Sequence, residues 1–315
     1  MRDAFLEALA QLAQNDPNII LMTGDLGFGA SEGFAQRFPA RNIVNAGISE
    51  QNMMSAAVGL ALSGKIVFVY SIANFPTLRC LEQLRNSAAY HGANVKAVAV
   101  GVGVGYGVMG ATHHATEDIS ILRAIPGVSV FSPSDDEEAR AATFAAAKSP
   151  GCCYLRLSRG EPDLTALSPE AEPVNDIFQA RKICDGGSDI CVFATGAVAD
   201  VALRAAKVIG APLFTFAAVK PVDEAFIRRA AHTYKTILTF EESQVQGGFR
   251  GAVCEIVAGL RGQRASVRRI GFEDTFASRV GSRAWILEEY GISVTRARQL
   301  CNGEHEESAK NLQGE

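Results

Sequence analysis

The sequence lacks both a long hydrophobic run and a long run of basic residues, and each absence excludes a class of protein. The most apolar stretch, MMSAAVGLAL at residues 53–62, has the length of a core helix and includes serine and glycine, so it predicts no transmembrane span. The formal net charge of −4 over 315 residues gives a nucleic-acid partner no electrostatic support. The composition, 48% hydrophobic and 20% charged, is that of a globular protein. The length of 315 residues is sufficient for two domains.

The cysteines show no CxxC spacing and are odd in number, which favours reduced thiols over a disulfide framework. They stand at positions 80, 152, 153, 184, 191, 254 and 301. The N-terminal segment MRDAFLEALAQLAQ predicts an amphipathic helix with acidic residues and lacks the apolar centre of a signal peptide. We therefore expect a soluble, cytoplasmic protein.

Short apolar runs alternate with helical patterns through the first half of the chain. The predicted strands are 19–24, 65–71, 95–102, 128–133 and 152–158, and the predicted helices begin near Ser49, Thr77, Glu117 and Asp135. This alternation predicts an α/β fold, with a mostly parallel sheet covered by helices on both faces.

A second β/α series follows a segment, residues 161–176, that holds three prolines and five acidic residues, as an exposed linker would. Its predicted strands are 189–196, 211–218, 235–242 and 266–272, and its predicted helices are 198–209, 223–232 and 248–260. We therefore predict a first domain at 1–165, a linker at 166–185, a second domain at 186–302, and a polar, disordered tail at 303–315.

Glu50 stands at the head of a run that is otherwise almost wholly apolar or small, VNAGISEQNMMSAAVGLAL. Ser49 can cap a helix that begins here, and a glutamate in the first turn suits the helix dipole without any further role. The segment MMSAAVGLAL leaves almost no polar face, so it predicts a helix buried on all sides. A desolvated carboxyl at its start could donate or share a proton with a ligand nitrogen.

A glycine-rich segment after the strand at 95–102 carries glycines at 101, 103, 105, 107 and 110 and leads to His113 and His114. The glycines do not open directly into a helix, which argues against a dinucleotide site, and they favour close approach of backbone to a ligand. The two histidines could be ordinary polar residues or could join Glu117 at a metal. The favoured interpretation is that they bind substrate hydroxyls or handle a proton.

The strand at 65–71 runs through Phe75 and Pro76 into a helical pattern with Arg79, Glu82 and Arg85. Phe75 could be a core residue or could stack on a flat ring. Arg79 could belong to a surface row of ion pairs or could point back into a cofactor cleft. A further cation, Arg159, follows the last strand of the first domain in LRLSRGEP.

Three motifs together resemble the transketolase superfamily of thiamine diphosphate enzymes, specifically the C-terminal half of transketolase as a separate chain. NAGISEQNM is similar to the signature of the pyrimidine-binding domain, and GATHHATEDISILRAIPGVSVFSPSD to its histidine loop and following strand. EESQVQGGFRGAV is similar to the signature of the family's C-terminal domain. The likeness covers about residues 1–300, and it implies a pyrimidine-binding domain followed by a transketolase C-terminal domain.

The resemblance implies a role for each matching residue. Glu50 hydrogen-bonds the pyrimidine nitrogen of thiamine diphosphate, which prepares the cofactor to lose its thiazolium C2 proton. Phe75 stacks on the pyrimidine, and His113 contacts donor hydroxyls. Arg2 and Arg159 match positions that bind a sugar phosphate.

The sequence also departs from the family pattern. Transketolases usually carry a histidine where Gly101 stands and an acidic residue where Met109 stands, and Ser31 is offset from the phosphate-binding serine. Because the acidic residue contacts a donor hydroxyl in that family, Met109 favours a deoxy, shortened or otherwise altered donor.

The sequence has GDL at 24–26 and no GDG motif, so it lacks the domain that holds magnesium and the cofactor's phosphates in this family. The resemblance implies a separate partner subunit that carries GDG, an α2β2 heterotetramer with thiamine diphosphate and Mg²⁺ between chains, and no metal ligands on this chain. The second domain shows no apparent catalytic group, so we assign it to stability and assembly.

These features favour a subunit of a split transketolase that moves a two-carbon ketol unit from a ketose, phosphorylated or modified, to an aldehyde. One alternative is the β subunit of the decarboxylating component of a 2-oxo acid dehydrogenase. Another is a carboligase like deoxyxylulose-phosphate synthase, and a third is a scaffold without catalytic residues.

Overall fold

The computed structural model describes residues 1–25, 38–39, 42–159 and 164–302, without the side chain of Thr165, and folds them around two sheets. Ser31 and the tail predicted to be disordered at 303–315 lie outside the described residues. None of the helices in the described part of the chain combines the length and apolar character that a bilayer crossing requires.

The first sheet has seven strands, of which six come from the first half of the chain and run parallel to one another. These are β1 (Ile19–Thr23), β2 (Ile43–Asn45), β3 (Ile66–Ile72), β4 (Val95–Val100), β5 (Val128–Phe131) and β6 (Cys152–Leu157). Every residue of β1, β4 and β6 is buried, as expected of strands covered on both faces.

Helices cover both faces of this sheet, as the alternating pattern predicts. They are α1 (Arg2–Asn15), α2 (Glu50–Leu62), a π-helix (Gln83–Ala89), α3 (Asp118–Ala124) and α4 (Asp136–Lys148). The buried side of α1 packs against the alanine-rich side of α4, and the ring of Phe5 stacks on that of Tyr70 with centroids 6.0 Å apart.

The second sheet has five strands in the order β12, β11, β8, β9, β7. These strands are β7 (Arg181–Cys184), β8 (Ile190–Thr195), β9 (Leu213–Thr215), β11 (Thr236–Gln244) and β12 (Ser266–Phe272). A further strand, β10 (Ala218–Lys220), belongs to the first sheet, and a short helix, α5 (Leu164–Leu167), precedes β7. The helices are α6 (Ala199–Ile209), α7 (Glu224–Thr233), α8 (Phe249–Ala258), α9 (Arg283–Glu289) and α10 (Val294–Cys301). The sequence patterns do not predict β2, β7, α5, α9 or α10, and β7 lies inside the stretch predicted as a linker.

The strand predicted at 211–218 is divided between the two sheets. Its first part forms β9 in the second sheet, whereas β10 crosses over and pairs antiparallel with β5 at the edge of the first sheet. Buried ion pairs also join the two halves: Nη1 of Arg181 in β7 donates to Oδ2 of Asp135 at 2.7 Å, and both side chains are almost fully buried. The two sheets are therefore parts of one packed body.

Candidate active site

The sequence-predicted site residues collect at one edge of the first sheet. Glu50 follows β2, Phe75 follows β3, His113 lies in the segment after β4, and Arg159 follows β6. Because these strands are parallel, their carboxyl ends meet at the same edge, where ligands of open α/β sheets bind.

Glu50 is the first residue of α2 and is only 3% exposed. Nη1 of Arg79 donates a hydrogen bond to Oε2 of Glu50 at 2.9 Å. Among the residues that the structure describes, none hydrogen-bonds the other carboxylate oxygen, Oε1. Ser49 occupies the N-cap position, but its side chain makes no capping hydrogen bond. The carboxylate is therefore buried with one oxygen paired and the other available to a ligand.

The expectation that α2 is buried on all sides is wrong for this chain. One side, with Met53, Met54, Ala57 and Val58, packs on the sheet. The opposite side is exposed and consists of small, amide or apolar residues, namely Gln51, Asn52, Ser55, Ala56, Gly59 and Leu62. Apolar composition alone predicts burial, but here it is found on a surface that nothing within the described chain covers.

The segment after β3 differs from the helix predicted near Thr77. Residues 73–80 form successive turns, and the π-helix begins at Gln83, a local structure common at functional sites. Asn74, which no sequence motif indicates, connects these turns to the segment that carries the histidines. Its Nδ2 donates to the carbonyl oxygens of Thr112 at 3.0 Å and His114 at 3.1 Å.

The turns bring Phe75 and Arg79 to Glu50. The Arg79 guanidinium carbon lies 4.1 Å from the centroid of the Phe75 ring, within cation–π range, while the same group pairs with Glu50. The ring of His113 meets Phe75 edge-on, with centroids 5.4 Å apart. Arg85 is exposed and donates to Asn86. Of the two alternatives for Arg79, a surface row of ion pairs or a position facing the cleft, the described contacts favour the second.

The two adjacent histidines occupy different environments. The half-buried His113 faces Phe75, and its Nδ1 lies 3.0 Å from the Thr112 hydroxyl. His114 is 4% exposed, and burial lowers its pKa, helped by the nearby His113 and opposed by the charge of Glu242. The structure therefore places His113, and not His114, beside Phe75.

Glu242 of β11 supports the glycine loop (residues 101–110) from the second half of the chain. Its Oε1 accepts a hydrogen bond from the backbone N–H of Val104 at 2.9 Å, and its Oε2 accepts one from Nε of Arg283 at 2.8 Å. Gly103 has φ +61°, and a Cβ there would lie 2.4 Å from Glu242 Oε1, so only glycine fits. The second domain, assigned from sequence to stability and assembly, thus also holds a loop of the site.

A fully buried network holds the segment that follows this loop, at Ala115 and Asp118. Oδ2 of Asp118 accepts hydrogen bonds from Nε of Arg156 at 2.8 Å and from the hydroxyl of Tyr154 at 2.6 Å. Nη2 of Arg156 also donates to the carbonyl oxygens of Ala115 and Glu242. Because the Asp118 carboxylate is paired inside the protein and its partner Arg156 is buried, this network has a structural role.

Arg2, Arg159, Tyr70 and Tyr106 form a second group beside the glycine loop. Arg2 begins α1, and its Nε donates to Oδ1 of Asp3 at 2.9 Å. The Arg159 guanidinium carbon lies 4.8 Å from the centroid of the Tyr106 ring. Burial raises the pKa of both Tyr70 and Tyr106, and the charges of Arg2 and Arg159 oppose that rise.

The two departures from the family pattern have different structural settings. A side chain at Gly101 would meet the ring of Tyr106, because an added Cβ would lie 2.1 Å from Cε2 of that ring. Met109 is 54% exposed at the end of the glycine loop. The space that a side chain at position 101 would need is thus filled by Tyr106 of the same loop.

Comparison with known proteins identifies the family. Residues 1–163 match the family model of the transketolase pyrimidine binding domain, and residues 179–296 match that of the transketolase C-terminal domain. The chain belongs to the transketolase family. The fold class expected from sequence, two domains with mostly parallel sheets flanked by helices, is confirmed.

Full-length relatives of similar size are themselves subunits of transketolases. The 6-deoxy-6-sulfo-D-fructose transketolase subunit SqwH of Clostridium sp. is 34% identical over 316 residues, 97% of this chain and 94% of the relative. A subunit of the apulose-4-phosphate transketolase of Phocaeicola vulgatus is 35% identical over 302 residues, 92% and 93% of the two chains. A solved split-gene transketolase, described as an inactive β4 tetramer, superimposes with a TM-score of 0.82 at 31% identity and covers 96% of this chain and 97% of that one.

The chain also matches part of a larger enzyme. The 1-deoxy-D-xylulose-5-phosphate synthase of Thioalkalivibrio sulfidiphilus is 32% identical over 296 residues, which are 92% of this chain but 44% of that enzyme. The likeness therefore covers about half of the synthase, and the two full-length relatives fit the chain better.

The described residues fit the pyrimidine half of thiamine diphosphate. A buried carboxylate with one available oxygen suits a ring nitrogen, and the adjacent Phe75 offers an aromatic surface. Within the same described residues, no group of three or more His, Cys, Asp or Glu side chains, including His113, His114 and Glu117, is arranged to hold a metal ion.

Proposed function

We propose that this chain is the pyrimidine-binding subunit of a two-component, thiamine diphosphate-dependent transketolase that transfers a two-carbon ketol unit from a ketose to an aldehyde. The observation that carries the proposal is Glu50: its carboxylate is 3% exposed, has one oxygen available, and lies beside Arg79, which contacts Phe75. Because the chain belongs to the transketolase family, we interpret this arrangement as a binding site for the pyrimidine ring of thiamine diphosphate.

Each residue of the group has a role in this proposal. Bound thiamine diphosphate would supply the nucleophilic carbon that cleaves and forms the carbon–carbon bond. Glu50 Oε1 would exchange a proton with the pyrimidine nitrogen, while Arg79 holds Oε2 and offsets the charge of the buried carboxylate. Phe75 would present its ring to the pyrimidine, and His113 would contact a hydroxyl of the donor.

The substrate is proposed to carry an anionic end. Arg159 is exposed, and no carboxylate within the described residues pairs with it, whereas Arg2 has one exposed partner, Asp3. The names of the two relatives describe a sulfonated and a phosphorylated sugar, which agrees with two guanidinium groups at the edge of the site. His114, predicted as a second substrate ligand, would act from a buried position next to His113 in the chain.

The missing half of the site is proposed to come from a partner subunit that carries the GDG motif and holds Mg²⁺ and the cofactor's phosphates, in an α2β2 assembly. The exposed apolar residues at the two ends of α2 support this: Ile48, two residues before the buried Glu50, is 78% exposed, and Leu62 at the other end of the helix is 62% exposed. We further propose a cytoplasmic location, and a division into domains at 1–165 and 186–302 with the intervening residues as a connection.

The test is to combine the chain with the diphosphate-binding subunit and assay two reactions in parallel. Ketol transfer from a sugar-phosphate or sugar-sulfonate ketose to an aldehyde, dependent on both subunits and on thiamine diphosphate, is the expected result. Acylation of a lipoyl domain by pyruvate without ketol transfer would show the dehydrogenase alternative instead. Full ketol transfer by the isolated chain would refute the split-site proposal.

A further inference from the structure

Tyr106 fills the space that a side chain at position 101 would need. Gly101 has φ +73°, where L side chains are strained, and an added Cβ would lie 2.1 Å from Cε2 and 2.5 Å from Cδ2 of Tyr106. Position 101 and Tyr106 are therefore mutually exclusive: as long as the tyrosine ring lies here, only glycine fits at 101.

The ring of Tyr106 lies near both His113 and the exposed guanidinium of Arg159. Its centroid is 6.4 Å from the centroid of the His113 ring and 4.8 Å from the Arg159 guanidinium carbon. The charges of Arg2 and Arg159 both act on its phenol. No residue in the described part of the chain hydrogen-bonds the Tyr106 hydroxyl, so its donor is free for a ligand.

A neutral donor beside two guanidinium groups suits a tetrahedral oxyanion. Arg159 has no carboxylate partner among the described residues, so an anion placed there would meet a cation that no internal charge neutralises. Phosphate monoesters and sulfonates both present several acceptor oxygens to such a group. Because His113 also lies near this ring, a sugar that contacts both His113 and Arg159 would lie close to Tyr106.

We propose that Tyr106 is a specificity-determining residue whose hydroxyl donates to the terminal phosphate or sulfonate of the sugar substrate, beside Arg159 and Arg2. The proposal deepens the transketolase function and rests on it for the identity of the sugar. It distinguishes this chain from one with an imidazole at position 101, because burial keeps the pKa of Tyr106 above its ordinary value. The phenol therefore remains a donor throughout the neutral pH range, in which an imidazole titrates.

The direct test uses the full chain alone and two probes, inorganic phosphate and methanesulfonate, with dissociation constants taken from the shift of the melting temperature with probe concentration. Tyr106→Phe keeps the ring and removes the hydroxyl. It should weaken binding of both anions about 10-fold or more, as expected for loss of a hydrogen bond to a charged group. Tyr90→Phe is the matched control, because Tyr90 is 85% exposed and its ring contacts only His91 among described aromatic groups.

Unchanged affinity in Tyr106→Phe, or no binding of either anion by the wild-type chain, would overturn the proposal. The pH dependence separates the two sources of the anion. Tighter binding of inorganic phosphate as the pH rises through its second ionisation indicates selection of the dianion, whereas a preference for methanesulfonate at every pH indicates a sulfonate site.

A kinetic arm in the reconstituted two-subunit enzyme separates this proposal from the function on which it rests. Tyr106→Phe should raise KM for a ketose with a terminal phosphate or sulfonate about 10-fold, with little change of kcat and no change of KM for an uncharged ketose. Equal effects on charged and uncharged ketoses would refute the role of Tyr106 while leaving ketol transfer intact. If no ketol transfer occurs but the anion affinities depend on Tyr106, the proposed function fails and the anion site remains.

Discussion

Two buried glutamates, Glu50 and Glu241, show how differently a protein can treat the same group. Glu241 of β11 is 0% exposed, and its carboxylate accepts from the Ser243 hydroxyl and from the backbone N–H groups of Phe249 and Arg250 at 2.7–3.1 Å. Glu50 is 3% exposed, yet the described residues give it one donor, on Arg79, whose side chain is 45% exposed.

The difference separates a structural carboxylate from one that is available for chemistry. Two backbone donors tie Glu241 to the start of α8 and a third donor, Ser243, comes from β11 itself, so both carboxylate oxygens are occupied. Glu50 has an oxygen without a described donor and a partner cation that reaches solvent, and burial makes such an incompletely paired group expensive. Proteins retain that cost most readily at functional sites. Replacing a carboxylate by its amide at three positions, Glu50, Asp118 and Glu241, tests this comparison.

The largest effect is expected from Glu50→Gln in the reconstituted enzyme. The amide keeps the shape of the side chain but cannot exchange a proton with the cofactor as a carboxylate does, so kcat should fall by about 100-fold or more. Steady-state ketol-transfer assays measure this change, with Glu255→Gln as a control at a 65% exposed carboxylate. Turnover close to wild type would favour the scaffold alternative over a catalytic role.

Of the three amide substitutions, Asp118→Asn should reduce stability most. It removes the negative partner of Arg156, whose side chain is 1% exposed, and breaking one half of a buried ion pair costs about 3–5 kcal/mol. Urea unfolding followed by circular dichroism should show a lower midpoint. Glu50→Gln should shift that midpoint much less. An equal shift would show that Glu50 contributes as much to stability as Asp118 and is a structural carboxylate as well.

The smallest effect is a pH dependence at Glu241. Burial raises the pKa of Glu241 from 4.5 to about 6, and its hydrogen bonds oppose that rise. Because the folded state holds this proton more tightly than the unfolded state, the free energy of unfolding should fall as pH rises from 4.5 to about 6, by up to about 2 kcal/mol. Glu241→Gln should remove this component.

The measurement is urea unfolding of wild type and Glu241→Gln at several pH values between about 4 and 7. The difference between the two free energies isolates the Glu241 component from other titrating groups. A difference that does not change with pH would contradict the raised pKa.

The parts of the fold that depend on local pattern could be predicted from sequence, and so could the residues that meet at the site. Period and turn signals locate most of the strands, and the motifs around Glu50 and His113 indicate residues that the structure brings together with Phe75 and Arg79. The role of each in catalysis stays a prediction.

What the sequence could not indicate depends on contacts between distant segments. The support of the glycine loop by Glu242 spans 138 residues, and nothing in either segment alone indicates the pairing. The exposed side of α2 has the composition of a buried surface, so pattern alone predicts burial. The occupation of the space at Gly101 by Tyr106 is visible only in three dimensions, although the glycine at 101 already departs from the family pattern.

Because β10 pairs with β5 of the first sheet, that sheet is completed only after residues of the second half of the chain have been synthesised. Ala218 and Lys220 pair with Phe131 and Val130 at the edge of the first sheet, so β5 keeps an unpaired edge until the ribosome has passed residue 220. Unpaired edges invite association with other chains. About 60 residues therefore separate the end of β6 from the strand that pairs with β5, and a gene cut between the two matched domains would yield a fragment in which this edge of β5 stays unpaired.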